Sequence, residues 1–138
     1  SPTSMRMNRT IGPIDESIAM AAIYTANHLK VKAIAALTQS GSTTLWMSRI
    51  TTDVPIYALT PQVETRRKVT LFRGVYPINF KMFTHDPELL LREAEDELRR
   101  RGAVRDGDTI LLTIGEPIGK SGGTNTMKIV TVGEHRKA

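Results

Sequence analysis

The chain has 138 residues, 40% of them hydrophobic and 24% charged, with no cysteine and a formal net charge of +5. That length suits one domain with a real core, and the composition excludes a disordered chain. Without cysteine there is neither a disulfide frame nor thiolate chemistry, which is compatible with a reducing cytosol.

The first residues, 1–12, are polar and read as a linker or ragged end. They lack the apolar run of a secretory leader. The start at Ser1, without an initiator Met, reads as a fragment of something longer. Pro13 opens a predicted helix whose apolar face is Ile14, Ile18, Ala21, Ala22, Ala26 and Leu29. Asp15 and Glu16 fall in its first turn, where negative charge is favourable, and read as a solvated face. Residues 31–37 form a short apolar run broken only by Lys32, the signature of a strand buried on both faces of a parallel sheet. A polar turn, Thr38-Gln39-Ser40-Gly41, leads into a short helix over 42–49.

A second strand is expected over 54–59. Thr60 is expected to cap the next helix, with Pro61 at its first position and Arg66-Arg67-Lys68 at its end. The third strand, 75–80, contains Pro77, which sends it to a sheet edge. Asp86-Pro87 opens the clearest helix, with Leu90, Leu91, Ala94 and Leu98 on its apolar face, arginines late and Gly102 as its stop. The pair Glu95/Asp96 on this helix also reads as solvated. A turn at Asp106-Gly107-Asp108 enters a strand over 109–114, and a Gly- and Ser-rich loop separates it from the last strand, 127–132.

Alternating strands and helices imply a parallel sheet with helices on both faces. The last two strands have no helix between them, so the final strand is expected to be antiparallel. The fold class is a three-layer α/β sandwich around a five-stranded mixed sheet. The apolar runs are too short to span a bilayer. Nucleic-acid binding is disfavoured as well. The basic residues are scattered, the densest run (Arg99-Arg100-Arg101) ends a helix, and the seven aromatics do not interleave with basic segments. Phosphate-bearing small molecules suit the charge better.

Two segments have the composition for chemistry. The first, Thr38-Gln39-Ser40-Gly41-Ser42-Thr43-Thr44, joins a buried strand to a helix start and carries five hydroxyls in seven residues. Such a turn suits a phosphate, although Ser and Thr also serve as ordinary helix caps. The second runs from Gly115 to Asn125 and contains Gly119, Lys120, Ser121, Gly122 and Gly123. It is either a plain connection or an anion-contacting loop. It is not a Walker loop, because the order of Gly, Lys and hydroxyl is wrong and no helix follows. In a doubly wound sheet, loops past the carboxyl ends of strands line the ligand crevice, so both segments could meet there. His28, His85 and His135 lack metal-ligand spacing and read as surface or capping residues. Trp46 and Met47 read as packing residues, with Trp46 placed to brace the hydroxyl-rich turn.

Ile14-Asp15-Glu16-Ser17-Ile18-Ala19, the strand into Ser40-Gly41-Ser42-Thr43, Arg73-Gly74-Val75-Tyr76-Pro77, Gly107-Asp108-Thr109 and Gly123-Thr124-Asn125-Thr126 occur in this order. Together they resemble the C-terminal domain of pyruvate kinase, over nearly all of residues 10–133. The resemblance implies a domain over 13–133, with 134–138 as a tail. It implies a parent enzyme, cytoplasmic and homotetrameric, that transfers a phosphoryl group from phosphoenolpyruvate to ADP. Mg²⁺ or Mn²⁺ and K⁺ would act in a barrel absent from this chain, which alone would be inactive. It further implies that Thr38, Ser40, Gly41, Ser42 and Thr43 wrap an effector phosphate and that residues 119–123 fold over the effector's sugar. Relatives responding to fructose 1,6-bisphosphate often carry a Trp and an Arg where this chain has Phe83 and Leu90. That departure favours a monophosphate such as AMP, ribose 5-phosphate or glucose 6-phosphate. A free-standing phosphate-binding module and a purely structural assembly domain are the alternative readings.

Overall fold

In the computed structural model, which describes residues 12–115 and 123–137, strands and helices alternate as expected. The elements are α1 (Gly12–Leu29), β1 (Ala33–Leu37), α2 (Ser42–Ser48), β2 (Ile56–Thr60) and α3 (Val63–Val69). There follow β3 (Val75–Asn79), α4 (Pro87–Arg100), β4 (Thr109–Gly115), β5 (Thr124–Thr131) and a 3-10 turn at Glu134–Arg136. The sheet order is β3-β2-β1-β4-β5, with β1 to β4 parallel and β5 antiparallel to β4.

This order follows from connection handedness. The helical crossovers carry the chain outward from β1 through α2 to β2 and through α3 to β3. It then returns across the sheet to β4 on the other side of β1, which places α4 on the opposite face. Each face consequently has its own core. Ala33, Ala35, Leu37, Ile110, Leu112 and Ile114 pack with Leu90, Leu91, Ala94 and Leu98 of α4. Ile34, Ile56, Ala58 and Leu111 pack with Ala19, Ala22, Ile23 and Ala26 of α1, Met47 of α2 and Val69 of α3. All five residues of β1 are buried, as a strand covered on both faces requires. Pro77 lies in β3, which forms one edge of the sheet.

Helix α4 matches its sequence cues in full. Asp86 accepts a hydrogen bond from the Glu88 amide at 3.1 Å, Pro87 occupies the first turn, and Gly102 takes a left-handed conformation after the end. Three local expectations are corrected. Thr60 is the last residue of β2 rather than a helix cap; its hydroxyl accepts from the Gln62 amide, and α3 begins only at Val63. The buried face of α1 is Asp15, Ala19, Ala22, Ile23 and Ala26, whereas Ile14, Ala21 and Leu29 are exposed. Small alanines let the helix lie close on the sheet, so the bulkier Met20 and Tyr24 turn outward. Glu95 is buried, not solvated, because it accepts the Gly133 amide at 2.8 Å and so pins the chain after β5 to α4. Among the described residues no helix is long and apolar enough to cross a membrane.

Candidate functional site

The strand order reverses between β1 and β4, since β1 leads outward to β2 while β4 returns beside it. The crevice beyond the carboxyl ends of such a pair is where open α/β sheets hold ligands. Here β1 runs into the hydroxyl turn at Thr38, and β4 ends at Gly115 beside Thr124 of β5. The turn itself is tightly wound. Gly41 adopts φ 83°, its amide donates to Thr38 Oγ1 at 2.9 Å, and the Ser42 amide donates to Ser40 Oγ at 3.3 Å. Thr44 Oγ1 donates back to the Gly41 carbonyl at 2.7 Å, and α3 clasps the turn through Thr65 Oγ1, which donates to the Gln39 carbonyl at 2.5 Å.

Only glycine fits at position 41. A methyl group there would strain the left-handed backbone and lie 3.1 Å from Val69 Cγ1 and 3.2 Å from Thr65 Cγ2. Gly41→Ala is expected to lower the unfolding free energy by about 2 kcal/mol, chiefly the left-handed penalty. Urea denaturation measures this directly, and a loss well under 1 kcal/mol would show that the turn relaxes freely.

The structure brings Thr38, Ser40, Gly41, Ser42 and Thr43 together, with Thr38, Gly41 and Thr43 buried and the two serines half-buried. Gly119, Lys120, Ser121 and Gly122 lie outside the described residues; Gly123 is described, next to the end of β4. What the sequence reading missed is Asp15. Although it sits in the first turn of α1, it is 2% exposed. Its carboxylate accepts from Ser42 Oγ at 2.6 Å and from Thr43 Oγ1 at 3.3 Å, and it also bonds the Thr124 amide. Burial holds the Asp15 carboxyl above its ordinary value of 3.8, against the opposite pull of these three hydrogen bonds. The sign follows: the fold retains this proton more tightly than the unfolded chain does. The stability it contributes is full below pH 3.8 and is lost as pH rises through the raised value.

The other candidates are placed as follows. Leu90 is fully buried in the core on the α4 side, and Phe83 is 85% exposed. Met47 is buried, as a packing residue should be. Trp46 instead lines a groove of about 460 Å³ between α1 and α2, with the Arg49 guanidinium 5.0 Å from its ring centre. His85 is exposed, and His28 stacks on Tyr24 at the surface. His135 departs from the surface reading. Its Nδ1 is 3.0 Å from Glu95 and its Nε2 is 3.4 Å from Asp96. These three could present one ligand atom each to a metal. Arg136 already stands 2.9 Å from Asp96, however, so a cation is supplied from within the chain.

Comparison with known proteins identifies the family of the chain. The family described as "Pyruvate kinase, alpha/beta domain" matches residues 16–130. The chain belongs to that family. It is 42% identical over 128 residues to a pyruvate kinase of Buchnera aphidicola subsp. Acyrthosiphon pisum, covering 92% of this chain and 26% of the relative. It is 39% identical over 128 residues to pyruvate kinase II of Salmonella typhimurium, with the same coverage. A pyruvate kinase of Sporosarcina psychrophila is 37% identical over 134 residues, 97% of this chain and 23% of the relative. The chain thus spans about a quarter of the length of these relatives. The five-stranded mixed sheet is that of the pyruvate kinase alpha/beta domain.

Proposed function

We propose that this chain is the effector-binding and assembly domain of a cytoplasmic pyruvate kinase. The parent would transfer a phosphoryl group from phosphoenolpyruvate to ADP in a barrel outside this chain, with Mg²⁺ or Mn²⁺ and K⁺ there. This domain would bind a phosphorylated effector and carry no chemistry of its own. The observation that carries the reading is the meeting of the hydroxyl turn (Thr38, Ser40, Gly41, Ser42, Thr43) with the end of β4 at the point where strand order reverses. Residues 119–123 would close over the effector's sugar. A monophosphate (AMP, ribose 5-phosphate or glucose 6-phosphate) is favoured over fructose 1,6-bisphosphate, since the aliphatic Leu90 is wholly buried and offers no second phosphate a cation.

Regulation would follow from linkage. An effector that binds one quaternary arrangement more tightly shifts the homotetramer toward it by its differential affinity, about 1–3 kcal/mol. The outward face of α1 supports contacts between like domains, because Met20 and Tyr24 are 58% and 71% exposed.

A second reading, a structural assembly domain without an effector, is favoured by one observation. The Ser42 and Thr43 hydroxyls already have an acceptor in Asp15. Thermal unfolding separates the two. With ribose 5-phosphate, glucose 6-phosphate or AMP at ~100 times its dissociation constant, the fold should gain about 2.7 kcal/mol, and Ser42→Ala with Thr43→Ala should abolish the gain. A gain with fructose 1,6-bisphosphate alone overturns the monophosphate preference. No gain with any of the four supports the structural reading.

A further inference from the structure

Asp15 is a buried ionisable group beside the hydroxyl turn to which the proposed function gives no role. Both its oxygens are engaged by α2, through Ser42 Oγ and Thr43 Oγ1, and the Thr124 amide of β5 adds a third hydrogen bond. Among the described residues no cationic side chain is among the influences on its carboxyl, which are burial and these three donors. Its charged neighbour on α1, Glu16, lines the groove shared with Trp46 and Arg49. One more buried hydroxyl belongs to the same side of the sheet. Thr113 Oγ1 of β4 has no hydrogen-bond partner, and Thr113 pairs in register with Ala36, two residues before the turn. Its side chain falls on the face of β4 that Leu111 presents to α1.

A phosphate that used the Ser42 and Thr43 hydroxyls would need the donors that Asp15 holds. Two anions cannot share two hydroxyl protons in a buried site, where charge repulsion is poorly screened. We infer that Asp15 is a specificity-determining residue of the effector site proposed above, on which this inference rests: a phosphate monoester takes the two hydroxyls over from the carboxylate as Asp15 takes up one proton from solvent. The hydroxyls then rotate from carboxylate to phosphate, and the new carboxylic O–H becomes a donor to a phosphate oxygen. No covalent bond other than that O–H is made. Burial already favours the protonated form, so the exchange runs in the direction the site allows. The consequence is that monoester affinity rises as pH falls.

Asparagine reproduces the protonated residue. It has the same shape, carries no charge, keeps a carbonyl for the Thr124 amide and turns an N–H donor toward the ligand. The test is isothermal titration of the 138-residue chain with ribose 5-phosphate at pH 8, in two buffers of different ionisation enthalpy. Wild type, D15N and D15S are compared, with the S42A/T43A double variant as control. Comparing proteins cancels the ester's own titration. D15N should bind at least about tenfold tighter than wild type and take up about one proton fewer per ester bound. D15S should lose the same proton. Wild-type affinity and proton uptake in D15N or D15S would overturn the inference alone, with S42A/T43A still losing binding. If neither wild type nor D15N binds ribose 5-phosphate, glucose 6-phosphate or AMP, the effector reading fails and the inference falls with it.

Discussion

Gly115→Ala is expected to destabilise the domain by about 3 kcal/mol, at the upper end of what overpacking costs, because the atoms in the way are backbone. Gly115 ends β4 at an irregularity in the pairing with β5, where it stands opposite Thr124. A methyl group there would sit 2.6 Å from the Gly123 oxygen, 2.8 Å from the Gly123 carbonyl carbon and 3.2 Å from the Thr124 nitrogen. A flexible side chain could swing aside, but a paired strand cannot without giving up ladder hydrogen bonds. The displaced Thr124 amide is also the one that bonds Asp15. The damage should therefore reach the hydroxyl turn, and any monophosphate-induced thermal shift should fall together with stability. Gly74→Ala is the control. A methyl group there meets nothing within 4 Å, so only the left-handed backbone at φ 73° is penalised, about 1–2 kcal/mol. Equal losses in the two variants, measured by urea unfolding, would mean that residues 123 and 124 move aside.

How much of this was legible in the sequence depends on whether the cause is local. Helix α4 was readable almost to the residue, since its cap, its proline, its apolar stripe and its glycine stop lie within one stretch of chain. The all-buried β1 was readable because burial on both faces removes polar residues. Helix α1 was read with its face rotated. Ala22 and Ala26 are buried as expected, but Asp15, Ala19 and Ile23 complete the sheet side in place of Ile14, Ala21 and Leu29. Thr124–Thr126 was missed as the start of β5 because Thr-Asn-Thr carries no hydrophobic pattern; its strand character comes from pairing with β4.

The site divides in the same way. The hydroxyl turn announced itself by composition, five hydroxyls in seven residues. Its acid partner did not. An aspartate in a first helical turn has a sufficient local explanation in the helix dipole, which conceals a tertiary one. Asp15 is buried because the tertiary fold brings Ser42, Thr43 and the Thr124 amide to it, and nothing near residue 15 encodes that meeting. Glu95 is the parallel case on the opposite face, held by an amide from beyond β5. In both, a carboxylate that looks solvated in sequence ties a helix to distant chain, the last strand for Asp15 and the segment just beyond it for Glu95.

Leu112→Ala should cost about 3–4 kcal/mol, within the range for a fully buried leucine. Leu112 lies in β4, between β1 and β5, and is 1% exposed. Its register partner on β1 is Ala35, a small residue of the same core that cannot fill the space a truncated leucine leaves. A site that cannot collapse keeps its cavity, which places the loss above the low end of the range. Domains of this size are stable by only about 5–15 kcal/mol, so the drop should be plain in urea unfolding, with the slope against urea unchanged. Ile129→Ala on β5 provides the scale, because Ile129 is 44% exposed and its truncation should cost under about 0.5 kcal/mol. The core of Leu112 lies on the α4 side, whereas Met47 of α2 packs in the core on the α1 side. The variant should therefore melt lower yet keep the full ligand-induced increment in stability. An increment lost along with the cavity would mean that the two faces of the sheet do not act independently, and that the turn at Ser40–Thr43 depends on the packing behind it.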